Sequence, residues 1–403
     1  MKIPFAPPRI DDITVKEVTD TLLSGWITTG PKTKLFEDKL AEYIGVENVV
    51  CLNSATAGLQ LAMHFLGIKK GDEVILPAYT YCATANVVAQ RGAKPVMVDI
   101  KKDDFNIDYN KVKDLINSNT KAIIGVDIAG FPADYDELHE IINQDVILKK
   151  YKPCNKVQEK LGRIALISDA AHSIGAFYNG RKTGNHADMS SFSFHAVKNL
   201  TTAEGGAVAF NLPKPFDNKE TKKLFKTLSL HGQSKDALTK NKAGAWEYDV
   251  TDAGYKCNMT DIQAAIGLVE LNRYTDTLQR RKEIFDLYTD NLKEKSWAIT
   301  PNYNSENKTS SYHLYMLRIE NCSVNQRNTI IEKMAKIGVA VNVHYKPLPM
   351  LTYYKNLNYK ISEFPQSYEN YENEISLPVY YNLSDKEVDF VIKSLIECIE
   401  DVI

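Results

Sequence analysis

The strongest constraint on the fold is a repeated alternation: short, β-branched apolar runs, each followed by a stretch with helical spacing. Residues 49–52 read as a strand and 55–66 as a helix with its apolar residues on one face. Residues 73–76 read as a strand, 81–90 as a helix and 95–98 as a strand. Runs at 122–126, 165–167, 190–194 and 207–210 continue the series. Strands this short and this apolar are covered on both faces, as in a mainly parallel sheet flanked by helices. The expected class is α/β.

The pattern changes after residue 254. Residues 261–292 form a long helical stretch, broken or bent near Tyr274. Residues 312–319 alternate like a half-buried strand, 326–337 read as a helix and 339–344 as another strand. A closing helix runs from about 385 to 402. This is α+β, so the expected organisation is a large α/β domain, residues 1–254 with a short N-terminal segment, and a smaller α+β domain, residues 255–403. The polar, lysine-rich stretch 143–162 reads as a surface insertion between two sheet elements.

Charge narrows the range of partners. Lys plus Arg number 49 and Asp plus Glu 51, a net charge of −2, whereas nucleic-acid binders carry a basic surplus. No apolar run approaches the roughly 18–20 residues that span a bilayer. The opening MKIPFAPPRIDDITV lacks the apolar core and cleavage site of a secretory signal. Six scattered cysteines without a CxxC read as reduced thiols, not as a disulfide framework or a metal site. A cytoplasmic protein with no nucleic-acid and no membrane partner is expected.

Four local patterns carry chemistry. Asn53-Ser54-Ala55-Thr56-Ala57-Gly58 lies between a strand and a helix, where small hydroxyl-bearing residues leave N–H groups free for a phosphate. A plain N-cap explains the same residues. In Ser168-Asp169-Ala170-Ala171-His172, an Asp at the carboxyl end of a strand points into the crevice where α/β proteins bind ligands. The alanines leave room for a flat ring. A turn Asp and a structural His are the plainer reading of Asp169 and His172.

The third pattern runs from Ser191 to Asn199 and on to Gly205-Gly206. Lys198 sits there among apolar and small residues, and a partly desolvated amine has a lowered pKa and attacks carbonyls. Ser193 is placed to contact an anion. A solvated surface lysine is the ordinary alternative. The fourth, from Gly254 to Ala265, is a loop opening a long helix. Thr260 or Asp261 caps that helix, or Lys256 and Asn258 reach an anion across a subunit boundary.

A phosphate cradle, an acid for a pyridinium nitrogen and a buried amine are together what pyridoxal phosphate chemistry requires. No GxGxxG follows the first strand, so a dinucleotide fold has little support, and the absence of GxxxxGK[ST] removes a P-loop enzyme.

At SGWITTGP, NSATAG, AKPVMVDI, SDAAHSIGA, FSFHAVKNLTTAEGG and GYKCNMTDIQAA the chain strongly resembles the DegT/DnrJ/StrS family of nucleotide-sugar aminotransferases. The likeness extends from residue 24 to residue 380 and implies the aspartate-aminotransferase-like fold type I. It implies that Lys198 binds the aldehyde of pyridoxal 5'-phosphate and that Asp169 partners its ring nitrogen. Tyr81 matches the aromatic that stacks on the ring, and His172 falls beside it. Ala55, Thr56 and Ser193 match the phosphate contacts.

Lys256 stands where many members carry a phosphate-binding Asn, with Asn258 in the same loop. His344, Tyr345 and Lys346 match a segment near the sugar nucleotide. The implied activity moves the amino group of glutamate, leaving 2-oxoglutarate, to a keto sugar of a nucleotide diphosphosugar, with UDP-4-keto sugars foremost. The implied assembly is a homodimer with shared sites. Two rivals remain: a sugar dehydratase of the same fold, which carries His in place of the lysine, and a regulatory member without turnover.

Overall fold

The computed structural model describes residues 1–102, 104–234 and 247–403. The apolar runs become strands β1 (Asn48–Leu52), β2 (Glu73–Pro77), β3 (Lys94–Val98), β4 (Thr120–Val126) and β5 (Ala165–Asp169). A short hairpin follows, β6 (Phe177–Tyr178) and β7 (Arg181–Lys182), then β8 (Met189–Ser193) and β9 (Gly206–Phe210). β1 to β5 with β8 and β9 make one seven-stranded sheet in the order β1-β9-β8-β5-β4-β2-β3. Neighbours from β3 through β2, β4 and β5 to β8 are parallel, and β9 runs against both β8 and β1. Parallel order brings the carboxyl ends of β4, β5 and β8 to one edge, where open α/β sheets bind ligands.

Burial explains the register. Every residue of β4, β5, β8 and β9 is buried, and apolar side chains pack on both faces of the sheet. The helix Ala55–Phe65 turns Leu59, Leu61, Ala62 and Met63 inward. Stretch 143–162 is less of a surface insertion than its composition suggests. It forms helices Asp145–Lys150 and Lys156–Leu161, with Ile147, Tyr151 and Leu161 buried. Asn155 Nδ2 and Gln158 Nε2 both donate to the Leu66 carbonyl, so the polar residues tie the segment down.

A second core lies in the later part of the chain, from Ile284 to Ile399, with Ile3 inserted into it. Its strands are β10 (Ala298–Ile299), β12 (Tyr315–Ile319) and β13 (Glu374–Leu377), all antiparallel, while β11 (Lys308–Thr309) pairs with β6. The expected helical break is present: helices Asp261–Asn272 and Tyr274–Leu292 meet at Arg273. The expected strand at 339–344 is not formed. The Gly338 carbonyl accepts the Ile3 N–H, the Ala340 N–H donates to the Ile3 carbonyl, and Asn342 pairs with Ser376, so the backbone divides its hydrogen bonds between two partners. Among the described residues, no helix is long and apolar enough to cross a membrane.

Asp261 does more than cap its own helix. Thr260 performs that role, in a capping box with Gln263. The buried Asp261 carboxylate instead accepts from the N–H groups of Gly30 (2.8 Å), Lys32 (3.0 Å) and Thr33 (2.9 Å) and from Thr33 Oγ1 (2.6 Å). It therefore caps the helix Pro31–Ile44, whose own cap position is a glycine without a side chain. Replacing Asp261 by Ala orphans these donors and is expected to destabilise the protein by more than about 3 kcal/mol. The exposed pair Lys16–Asp20 is screened by solvent and is expected to contribute little by comparison. Urea midpoints of Asp261→Ala and Lys16→Ala test the contrast.

Candidate active site

The carboxyl ends of β5 and β8 and the amino end of helix Ala55–Phe65 surround a cavity of about 430 Å³. Ala55, Thr56, Tyr81, Asp169, His172, Ser193, Lys198 and Tyr345 all line it. Residues from five separate stretches of the sequence thus converge.

Asp169 ends β5 and is 6% exposed. Thr84 Oγ1 donates to its Oδ2 at 2.7 Å, and the Ala171 N–H to its Oδ1 at 3.3 Å. Burial pushes the carboxyl up, while these two donors and the Lys198 charge pull it down. Lys198 follows β8 in a loop and is half-buried. Burial lowers its amine to about 8, and the Asp169 charge works in the opposite direction. A neutral amine near physiological pH is the form that attacks an aldehyde.

His172 is held from both sides. The Ala129 N–H donates to Nδ1 at 3.2 Å, so the neutral ring carries its proton on Nε2, 3.1 Å from Tyr345 Oη. Burial keeps this ring neutral, well below the usual histidine range. It lies near the rings of His313 and Tyr345, at centroid distances of 4.4 and 6.1 Å. Tyr81, at the start of helix Cys82–Gln90, is exposed and lies 5.6 Å from the Tyr345 ring.

Ser54 Oγ caps helix Ala55–Phe65 by accepting the Ala57 N–H. Ala55 and Thr56 line the cavity, and their N–H groups, in the first turn, have no helical acceptor. Gly206 completes this cradle: a Cβ there would sit 2.3 Å from the Ser54 carbonyl carbon and 2.4 Å from the Ala55 nitrogen. Only glycine lets β9 approach the helix end this closely. Anion donors at one end, a carboxylate and an amine fit pyridoxal phosphate in all three chemical features.

Four expected residues do not line the cavity. Lys256 Nζ donates to Asn258 Oδ1 at 2.6 Å, and Asn258 Nδ2 to Thr29 Oγ1 at 2.6 Å. Lys346 is exposed beside the site. His344 lines a smaller adjoining cavity together with Lys198 and Tyr345. Thr84 was not singled out in the sequence, because nothing in Cys82–Gln90 marks a threonine that faces β5. The buried pair His313 Nδ1 and Asn199 Oδ1, 2.8 Å apart, likewise joins residues 114 positions distant.

This fold and this site define a pyridoxal-phosphate-dependent transferase of fold type I. The family model for the DegT/DnrJ/EryC1/StrS aminotransferase family matches residues 8–149 and 152–396, and the chain belongs to that family. The structure is similar to a putative sugar aminotransferase, Spr1654 of Streptococcus pneumoniae, solved in its PMP form: TM-score 0.96, 48% identity, all of both chains covered. Its PLP form matches with a TM-score of 0.95 at 46% identity, again over all of both chains. Helicobacter pylori PseC, an aminotransferase involved in pseudoaminic acid biosynthesis, matches with a TM-score of 0.86 at 29% identity, all of both chains covered. Spore coat polysaccharide biosynthesis protein SpsC of Bacillus subtilis is 34% identical over 397 residues, 98% of this chain and 96% of its own. The cofactor is pyridoxal phosphate.

The lowered amine gives a pH signature. Capture of pyridoxal phosphate by cofactor-free protein is expected to speed up as pH rises and to level off above about 8, as Lys198 loses its proton. Stopped-flow absorbance measures it. A midpoint near the ordinary lysine value of 10.5 would show that burial does not tune this amine.

Proposed function

We propose that the protein transfers the amino group of glutamate to a keto carbon of a nucleotide diphosphosugar, a UDP-4-keto sugar first among candidates, for cell-surface polysaccharide or lipid glycan precursors. It would do so in the cytoplasm as a homodimer. The observation that carries the reading is one cavity walled by both Lys198 and Asp169, in a chain of the sugar aminotransferase family. Lys198 also argues against the dehydratase reading, which expects His there. The name of SpsC, a spore coat polysaccharide biosynthesis protein, supports a sugar destined for a polysaccharide.

Pyridoxal phosphate, when bound, supplies the electron sink and carries the amino group between two half-reactions. The residues proposed to hold it are the Ala55 and Thr56 N–H groups and Ser193 Oγ for the phosphate, and Tyr81 and His172 for the ring. The Asp169 carboxylate keeps the ring nitrogen protonated. Lys198 Nζ, uncharged, takes the proton from Cα of glutamate and later delivers one to the sugar carbon that gains nitrogen. Glutamate leaves as 2-oxoglutarate, so nitrogen and protons balance. Lys256 and Asn258 are proposed to act from the partner subunit on the phosphate end. His344, Tyr345 and Lys346 are proposed to lie toward the sugar nucleotide, with Lys346 suited to its diphosphate by charge. The division into residues 1–254 and 255–403 belongs to the same proposal.

Purified protein with glutamate and a panel of UDP-, GDP- and dTDP-keto sugars is expected to yield 2-oxoglutarate in step with amino sugar, fastest with a UDP-4-keto sugar. Release of 2-oxoglutarate without any amino sugar would defeat the acceptor assignment. Lys198→Ala is expected to lower kcat by at least about 10³-fold, with the folded structure retained by circular dichroism.

A further inference from the structure

Glu374 opens β13 and is fully buried. Its Oε2 accepts the His344 N–H at 2.9 Å, and its Oε1 accepts the Ser376 hydroxyl. Among the described residues, no lysine, arginine or histidine side-chain nitrogen forms an ion pair with it. Nearby Arg327, on helix Val324–Ile337, donates instead to the carbonyls of Tyr371 and of Glu374 itself. A carboxyl buried without a cation is costly. Here it is not isolated, because the Ser376 oxygen that serves it lies 2.9 Å from His344 Nδ1.

His344 in turn shares a cavity of about 40 Å³ with Lys198, closed by Phe5, His313 and Leu377. That is room for a water molecule, and the amine and imidazoles give it polar partners. Polar groups therefore line a route from Lys198, across this water-sized gap, to the His344 ring, and hydrogen bonds continue it to Ser376 and Glu374.

We propose that Glu374 is a positioning residue that stores the proton of Lys198, reached through the small cavity, His344 and Ser376. The inference rests on Lys198 being the residue that captures the cofactor, and it adds how that amine is emptied. The Lys198 ammonium gives a proton across the cavity to the His344 ring. His344 Nδ1–H passes its proton to Ser376 Oγ, whose own proton goes to the Glu374 carboxylate. In net terms, ammonium plus carboxylate become amine plus carboxylic acid, and charge and protons balance.

The surroundings suit the transfer. Burial pushes Glu374 up to about 8, with Arg327 and the two hydrogen bonds opposing, and it lowers Lys198 to about 8. The two ends thus hold a proton with similar strength. Burial takes His344 down to about 3, so the ring passes a proton on and does not keep it. The other titratable groups facing Glu374 are Tyr79 and Tyr345. Arg318, its register neighbour on β12, bonds to the Lys102 carbonyl and Asn370.

Two variants test the proposal, each prepared with and without cofactor. Glu374→Gln keeps the size and one acceptor but holds no titrating proton. It is expected to move the pH midpoint of pyridoxal phosphate capture to lower pH, because the anion that favours the Lys198 ammonium is gone. It is also expected to lower kcat about tenfold with little change in KM. Ser376→Ala leaves the carboxylate and breaks the path. It is expected to lower kcat to a similar extent while leaving the midpoint nearly in place. If Glu374→Gln leaves both midpoint and kcat as in wild type, or if Ser376→Ala turns over normally, the proposal is overturned. Capture needs no sugar, so a shifted midpoint in a protein that aminates no keto sugar would uphold the relay and sink the acceptor assignment.

Discussion

The site depends on holding a carboxylate and an amine together out of water. Each pays for its desolvation in a displaced pKa: Asp169 is raised and Lys198 lowered by the same burial. Neither would stay in place alone. Asp169 is anchored by the β4–β5 register, which sets Val126 opposite it, and by the Asp127 N–H donating to its carbonyl at 3.1 Å. Asp127 is itself a buried acid, satisfied by Ser173 Oγ (2.6 Å), Tyr135 Oη (2.7 Å) and the Ala133 N–H (3.0 Å). Two neighbouring carboxylates are thus tolerated because one is consumed by structural hydrogen bonds. The other keeps a face open to the cavity.

The same logic locks the later core to the sheet. Asn199, next to Lys198, donates through Nδ2 to the Ser311 carbonyl, and Ser311 Oγ donates to the His172 carbonyl. Arg281, fully buried, spends its guanidinium on the carbonyls of Tyr312 and His313. Burial lowers it to about 10, yet it remains a cation that fixes the turn carrying His313. A segment some 140 residues downstream in the chain therefore orients the ring of His172. Movement of one core against the other would disturb the site directly, which argues for a stiff joint here.

The fold was legible because its signals are local. Strands at 73–76 and 207–210 announce themselves by short apolar runs, and the cap Ser54 by its spacing before an apolar helix. The candidate site was readable in part through motifs, since Asp169 and Ser193 end β5 and β8 and Lys198 follows in the loop after β8. What stayed hidden is pairwise and distant. Thr84 looks like any helical threonine until β5 is placed against it. Glu374 looks like a strand-edge acid until Ser376 and His344 close around it. Asp261 reads as an N-cap and caps a helix 230 residues away. Residues 339–344 have strand composition, yet their hydrogen bonds are claimed by Ile3 and Ser376.

Charge at the cavity wall bears on why a second subunit belongs in the proposal. Among the described residues that line the cavity, Lys198 is the lone lysine or arginine, and its pKa near 8 leaves it partly neutral. His172 is held neutral, and His195 faces Glu204 at 3.5 Å. A phosphate and a dicarboxylate donor bring several negative charges into this space. The helix amino end contributes about half a positive charge, too little to balance them. Cations outside the cavity wall would complete the balance, and Lys346 beside the site is one of them in the same chain. Lys256, exposed and with its side chain donating to Asn258, sits in the loop already proposed to cross between subunits, and there it would add positive charge to the site.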